Sequence, residues 1–161
     1  MKQQATEARR QRGKRLLLLL LAAFVAVAGT LVTAGPAQAA TCSGYGCDGT
    51  DPIATGCASG TVTNTGTTYI TNSAGQRLAY LELRYSVACG TNWGRITQVG
   101  STSSIYVYAY RPSPYASTYT YGGAGSNYYG DQLYGQGMTV CTVGQATDSA
   151  TGQTYTAAVC G

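Results

Sequence analysis

The sequence predicts a small all-β domain, a disulfide-bonded sandwich or barrel of about seven short strands. Three observations predict this class. Short β-branched and aromatic runs alternate with clusters of Gly, Asn, Asp and Ser, as strands and turns do. No segment after residue 39 repeats apolar residues at the three- and four-residue spacing of a helix. All six cysteines lie after residue 40, and an even number favours a disulfide framework.

Residues 1–39 predict a secretory signal peptide. Basic residues precede an apolar stretch at 16–28, which is too short for a comfortable membrane span. Ala37 and Ala39 then supply the small residues of a signal-peptidase site, so we expect cleavage after Ala39 or Ala40 by the general secretory route. Residues 40–161 are predicted to be a single mature domain, secreted to the extracellular side and free of the membrane.

The charge of the chain changes sign once this segment is removed. The whole sequence carries a formal net charge of +4, whereas residues 40–161 have four arginines, five acidic residues and no lysine, a net charge of −1. Nucleic-acid binding relies on clustered positive charge, so no nucleic-acid partner is predicted. Histidine, the side chain most often used for acid–base catalysis near neutral pH, is absent from the sequence.

The predicted strands follow in order along the mature part. They are the β-branched and aromatic runs at 67–71, 77–86, 104–110, 117–121, 138–143 and 154–160. Turn-forming residues at 72–76 separate the first two runs, and residues 144–153 separate the last two. Residues 124–137 are rich in Gly, Tyr and Asn and predict a long ordered loop.

The strand predicted at 104–110 has two different faces. Its apolar face consists of Ile105, Val107 and Ala109, and its other face of Tyr106, Tyr108 and Tyr110. Such a tyrosine row makes a platform that stacks on sugar rings or packs on peptides. The alternative is that tyrosine serves here only as an outer-layer sheet residue. The three tyrosines are our first candidate ligand-binding residues.

The last two strands also predict a disulfide. If their turn is centred between Ala150 and Thr151, Cys141 faces Cys160. Cross-strand neighbours have Cβ atoms about 4.5–5.5 Å apart, close to what a disulfide requires. Cys141 and Cys160 are therefore predicted to be paired. The other four cysteines are Cys42, Cys47, Cys57 and Cys89. They can pair in three ways, and the sequence leaves the choice open.

Short strings in the first half of the mature part form a pattern. They are CDGTDP at 47–52, GCA at 56–58 and LRYS at 83–86, followed by Cys89, Trp93 and Arg95. In this pattern the chain resembles the secreted bacterial DUF2690 (YjfA-like) family, whose function is unassigned. The resemblance is most specific over 42–96 and looser from 138 to the C-terminus. It implies a location and a related fold, and it supplies no reaction.

Charged residues offer two further candidate sites. Asp48 and Asp51 are a weak candidate for calcium, which takes about six to eight oxygen ligands. Both residues are followed by turn formers, so a turn is the better interpretation, and no metal or cofactor is predicted. Glu82 and Arg84 share one face of the strand at 77–86. They are candidates for binding a polar ligand or for an ion pair on a solvated face.

No catalytic residue is predicted, because the G-x-S-x-G and H-E-x-x-H motifs are absent and six paired cysteines leave no thiol nucleophile. The predicted function is a secreted, monomeric, non-enzymatic module that binds cell-envelope glycan or an extracellular protein. One alternative is a hydrolase in which Glu82, Arg84 and either Asp48 or Asp51 converge in a pocket. Two others are a structural surface protein that self-associates through Tyr-rich strands and a protease inhibitor.

Overall fold

Alternation of apolar and polar residues produces antiparallel strands joined by short turns. The computed structural model describes residues 39–161, so the basic residues and apolar stretch of the predicted signal peptide lie outside the described residues. The nine strands of this range are β1 (Val62–Thr71), β2 (Arg77–Ser86), β3 (Thr91–Gln98), β4 (Thr102–Arg111), β5 (Ala116–Ser117), β6 (Tyr121–Gly123), β7 (Asn127–Tyr134), β8 (Cys141–Asp148) and β9 (Thr154–Cys160). β5 and β6 have only two and three residues, so the longer strands agree with the predicted number.

The strands form two antiparallel sheets that pack face to face. Sheet A has the order β1-β2-β3-β7, and sheet B has the order β5-β4-β8-β9, with β6 also paired to β4. The predicted all-β fold is confirmed, and its form is a sandwich. Within residues 39–161 there is no helix long and apolar enough to cross a bilayer.

Apolar side chains that face inward from both sheets form the core. The larger cluster consists of Ile70, Leu78, Ala79, Leu81, Ile96, Ile105, Val107 and Ala146. A second cluster consists of Leu83, Ala109, Leu133 and Val140. Burial of each large aliphatic side chain stabilises the fold by roughly 1.5–3 kcal/mol. Gly94 lets the sheets approach closely, because a Cβ atom there would overlap Val107 and Thr142 of sheet B.

All six cysteines are paired. Cys141 and Cys160 face each other across β8 and β9 and form a disulfide, which confirms the predicted pair and register. The arrangement that the sequence left open is Cys42–Cys47 and Cys57–Cys89. The Cys57–Cys89 bond joins residues 32 apart in sequence, and it stabilises the fold by about 3–4 kcal/mol in the chain-entropy model. Three disulfides indicate an oxidising compartment.

Residues 41–60, which we call the disulfide segment, run along the free edge of β7 and onto the outer face of sheet A. Thr50 forms a β-bridge with Gln132 of β7. The Gln132 side chain points outward and donates hydrogen bonds to the hydroxyls of Thr50 at 3.0 Å and Thr55 at 2.8 Å. Trp93, the neighbour of Gln132 across β3 and β7, also lies on this outer face and is only 1% exposed.

The predicted loop at 124–137 is wrong, because it contains β7. The pairing of β7 with β3 changes register between Trp93 and Arg95, so that Gly130 and Asp131 oppose the single residue Gly94. This β-bulge interrupts the alternation by which a strand is recognised in a sequence. The strand predicted at 138–143 also begins later, at Cys141, and continues to Asp148.

Candidate functional site

The outer face of sheet B carries the predicted tyrosine row and has no charged side chain. Tyr108 of β4 lies opposite Val143 of β8, which lies opposite Ala158 of β9, so these side chains point to the same side. The outward-facing residues of these three strands are Ser104, Tyr106, Tyr108, Tyr110, Cys141, Val143, Gln145, Thr147, Thr154, Thr156, Ala158 and Cys160. We call this surface the neutral face.

Three tyrosines follow one another along β4 on the neutral face. Tyr106 is 36% exposed, and Tyr108 and Tyr110 are half-buried. Alternate residues of a strand are about 7 Å apart, so the row spans roughly 13 Å. The apolar residues between them are buried in the core, which confirms the predicted alternation. The row therefore offers aromatic surface and phenolic hydroxyls to a ligand that lies along β4.

Glu82 and Arg84 lie together on the outer face of sheet A, where protein groups already occupy the Glu82 carboxylate. Its Oε1 accepts a hydrogen bond from the Asn64 amide at 2.9 Å and lies 3.4 Å from Nη1 of Arg84. Its Oε2 lies 3.4 Å from Nε of Arg95 on β3. Because these partners come from β1, β2 and β3, the buried Glu82 links three strands of sheet A.

Asp48 attaches the disulfide segment to both sheets. Its Oδ2 is 2.9 Å from Nη2 of the buried Arg111 at the end of β4, and its Oδ1 accepts a hydrogen bond from the Tyr134 amide at 2.6 Å. Arg111 also donates to the carbonyl oxygens of Tyr134 and Pro114. Both Asp48 oxygens are therefore used in a structural ion pair.

Asp51 instead lies in a cleft at the edge of the sandwich. The cleft has a volume of about 300 Å³ and is lined by Asp51, Ile53, Tyr121, Asn127, Tyr128, Tyr129, Gly130 and Asp131. We call it the edge cleft. Asp131 is only 6% exposed, and its Oδ2 accepts a hydrogen bond from the Tyr121 hydroxyl at 2.8 Å. In the described part of the chain, no arginine lies within 4.0 Å of either carboxylate.

The bulge in β7 explains why Asp131 lines this cleft. A bulge re-aims the side chain at the extra position, and here Asp131 turns towards Tyr121 of β6, a strand of the opposite sheet. Burial raises the pKa of the Asp131 carboxyl, the hydrogen bond from Tyr121 partly opposes this, and the negative charge of Asp51 raises the pKa further. The hydrogen bond to Asp131 in turn raises the pKa of Tyr121.

Two other features offer less chemistry. A wider depression of about 430 Å³ is lined mostly by glycine and uncharged polar residues: Thr65, Tyr85, Asn92, Gly135, Gln136, Gly137, Met138, Thr139 and Gly161. The sulfur atoms of Cys42, Cys47 and Cys57 lie within 4.8 Å of one another. These sulfurs belong to disulfides, whereas a metal binds the thiolate form of cysteine.

Among the predicted site residues, the structure places the three tyrosines together and Glu82 beside Arg84. Asp48 and Asp51 do not share a site, because Asp48 pairs with Arg111 and Asp51 lines the edge cleft. Sequence reasoning missed Asp131 as a site residue and, with it, the contact between Asp131 and Tyr121. The available signal was an isolated carboxylate in a tyrosine-rich stretch. This carboxylate was not identified as a site residue, because the bulge disrupts the alternation of β7 and the segment is predicted as a loop.

Comparison with known proteins assigns the chain to a family without assigning it a function. A family model described as "Protein of unknown function (DUF2690)" matches residues 45–160, which include every strand of the sandwich. The resemblance inferred from the cysteine-containing strings is confirmed. No curated protein and no solved structure significantly matches the chain.

Proposed function

The chain belongs to the DUF2690 family, and we propose that it is a secreted, non-enzymatic module that binds cell-envelope glycan through the neutral face. The observation that carries this proposal is the row of Tyr106, Tyr108 and Tyr110 on an uncharged outer sheet face, with Tyr106 exposed and the other two rings half-buried. Aromatic rings stack on the apolar faces of sugar rings, and phenolic hydroxyls bond to sugar hydroxyls.

The geometry of the row favours an extended ligand. A row of roughly 13 Å lets an oligosaccharide contact more than one ring at a time. The tyrosines stand on a strand that is paired with β8, so little rotational freedom is lost on binding. A face without charges suits a ligand whose recognition needs no ion pair, which distinguishes glycan from strongly charged polymers.

The proposed extracellular location rests on two observations. The sequence predicts a signal peptide cleaved after Ala39 or Ala40, and the six cysteines form three disulfides. A non-enzymatic role is favoured by the use of the candidate carboxylates. Glu82 and Asp48 have both oxygens bound by protein groups, and neither residue lines the edge cleft with Asp51.

The test is co-sedimentation with purified cell walls. The double variant Tyr106→Ser/Tyr108→Ser is expected to bind about tenfold more weakly or worse, since each aromatic contact is worth roughly 0.5–1.5 kcal/mol. The matched control is Tyr69→Ser/Tyr80→Ser, which removes an aromatic pair on the outer face of sheet A, with ring centroids 4.9 Å apart. The control is expected to sediment like the unmodified protein.

Treatment of the walls separates the classes of partner. Walls digested with protease are expected to retain binding, whereas walls digested with a glycan hydrolase are expected to lose it. Loss of binding after protease treatment would replace the glycan by a protein partner. Unchanged sedimentation of the Tyr106/Tyr108 variant would contradict the platform itself. Sedimentation of the protein alone, abolished in the same variant, would support self-association through this face instead.

A further inference from the structure

The edge cleft holds two carboxylates that no arginine of residues 39–161 approaches within 4.0 Å. Asp131 is almost fully buried, yet within residues 39–161 its side chain accepts a single hydrogen bond, from the Tyr121 hydroxyl to Oδ2. Asp51 stands in the same cleft, where Oδ1 accepts a hydrogen bond from the Ile53 amide. Elsewhere among residues 39–161 each arginine close to a carboxylate pairs with Glu82 or Asp48. A buried carboxylate without a counter-charge is costly to retain in a fold.

The walls of the cleft are aromatic. Tyr121, Tyr128 and Tyr129 line it together with the two carboxylates. Tyrosine rings attract cations through their electron-rich faces, and this attraction increases as the cation is desolvated. Tyr129 already attracts one cation, because the guanidinium carbon of Arg95 lies 5.6 Å from its ring centroid. That guanidinium lies 3.4 Å from Glu82 on the outer face of sheet A, and it forms no ion pair within 4.0 Å with Asp131 or Asp51.

We propose that the edge cleft is a second binding site, which takes an organic ammonium group between the carboxylates of Asp131 and Asp51 and the rings of Tyr121, Tyr128 and Tyr129. The ammonium protons donate charge-assisted hydrogen bonds to the carboxylate oxygens. The alkyl part of the ligand covers the aromatic wall. The principal acceptor is Oδ1 of Asp131, which accepts no hydrogen bond from residues 39–161, whereas Oδ2 is occupied by Tyr121.

An organic cation fits this donor set better than a metal ion does. Calcium takes about six to eight oxygens, whereas the cleft supplies two carboxylates and mainly aromatic surface. An ammonium group needs only three acceptors and gains from the rings. The site is separate from the neutral face, since the tyrosine row lies on the outer face of sheet B and the cleft lies at the edge that contains β6 and β7.

The test is an NMR titration of the protein, prepared from the full chain, with n-butylammonium chloride. We expect saturable shifts at the backbone amides of Tyr121 and Tyr128–Asp131, with a dissociation constant on the order of 1 mM. Asp131→Asn is expected to weaken binding about tenfold, and the more exposed Asp51→Asn about threefold. Asp148→Asn is the matched control, because that carboxylate is engaged by Asn72 outside the cleft. It is expected to bind like the unmodified protein.

Titrations with 1-butanol and with calcium chloride distinguish an ammonium site from an apolar pocket and from a metal site. 1-Butanol, the uncharged analogue, is expected to cause no saturable shift at these amides. Equal responses to butanol and butylammonium would reduce the cleft to an apolar pocket and overturn the proposal. Tighter binding of calcium chloride than of butylammonium at the same amides would identify a metal site instead. Equal affinity of the Asp131→Asn variant and the unmodified protein for butylammonium would also overturn it. None of these results depends on the wall-binding assay.

Discussion

The outer faces of the two sheets differ in their charged residues and in whether their aromatic rings contact other groups of the protein. On sheet A, Glu82 is enclosed by Arg84 and Arg95, and part of the face is covered by the disulfide segment. The guanidinium carbon of Arg77 lies 4.0 Å from the ring centroid of Tyr69, so an aromatic ring there is engaged by the protein's own cation. On the neutral face of sheet B there is no charge, and within residues 39–161 no arginine stacks on its tyrosines.

This difference separates groups that are paired within the fold from groups that are left open. Where outward-facing groups are paired or covered, their interactions are already made within the fold, and they contribute to stability. Where rings and hydroxyls are left open, as on the neutral face, they remain available to a partner. The same strand alternation builds both faces, so the covering segment and the positions of the arginines decide which face has its outward-facing groups paired within the fold.

The largest expected effect tests the covered face. Trp93→Ala should lower the free energy of unfolding by about 3–5 kcal/mol, because a large buried side chain is lost. Tyr108→Ala, its outward-facing counterpart on the neutral face, should cost less than about 1.5 kcal/mol, since part of that ring is exposed. Denaturant unfolding followed by circular dichroism measures both values.

Trp93→Phe is the control for the first variant. It keeps most of the apolar volume and removes the Nε1–H group, which is buried without a hydrogen-bond partner among the described residues. We expect a loss below about 1.5 kcal/mol. Equal losses of stability for Trp93→Ala and Tyr108→Ala would contradict the difference between a covered face on sheet A and an open face on sheet B.

An intermediate effect is expected where the covering segment is anchored. Asp48→Asn leaves the buried Arg111 without its carboxylate and should cost about 2–3 kcal/mol, less than the roughly 3–5 kcal/mol for a fully buried pair, because Asp48 is partly exposed. Asp51→Asn is the matched control in the same segment and should change stability by less than about 0.5 kcal/mol. Thermal melts of the two variants side by side measure the difference, and similar melting temperatures would contradict the anchoring role.

The smallest expected effect depends on pH and concerns Asp131. Its pKa is raised in the folded protein, so the stability that it contributes is complete below the unfolded-state pKa and is lost as the pH rises through the folded-state value. Asp131→Asn carries no such loss. The variant should therefore melt at a higher temperature than the unmodified protein at pH 7, and this gain should shrink as the pH falls below about 4. A gain that is constant from pH 3 to pH 7, to within about 1 °C, would contradict a raised pKa.

The sequence predicted those features of the fold that lie in strands with regular alternation of apolar and polar residues. The tyrosine row and the Cys141–Cys160 pair were predicted because β4, β8 and β9 keep their alternation and register without interruption around these residues. β7 was predicted as a loop because Gly130 and Asp131 add a bulge. The edge cleft was missed for a second reason. It joins the disulfide segment, β6 and β7, and contacts so distant in sequence leave no local pattern.

The positions of the arginines have a consequence for digestion by proteases. Residues 40–161 contain no lysine, and their four arginines, Arg77, Arg84, Arg95 and Arg111, all lie within strands. A trypsin-like protease cuts after basic residues and needs a mobile stretch of chain around the bond. The bonds after Arg77, Arg84 and Arg95 lie within hydrogen-bonded strands, so their cleavage requires the strands to separate first. Arg111 ends β4 and is followed by Pro112, and a trypsin-like protease cuts poorly before proline. The domain thus resists this class of protease for as long as it stays folded.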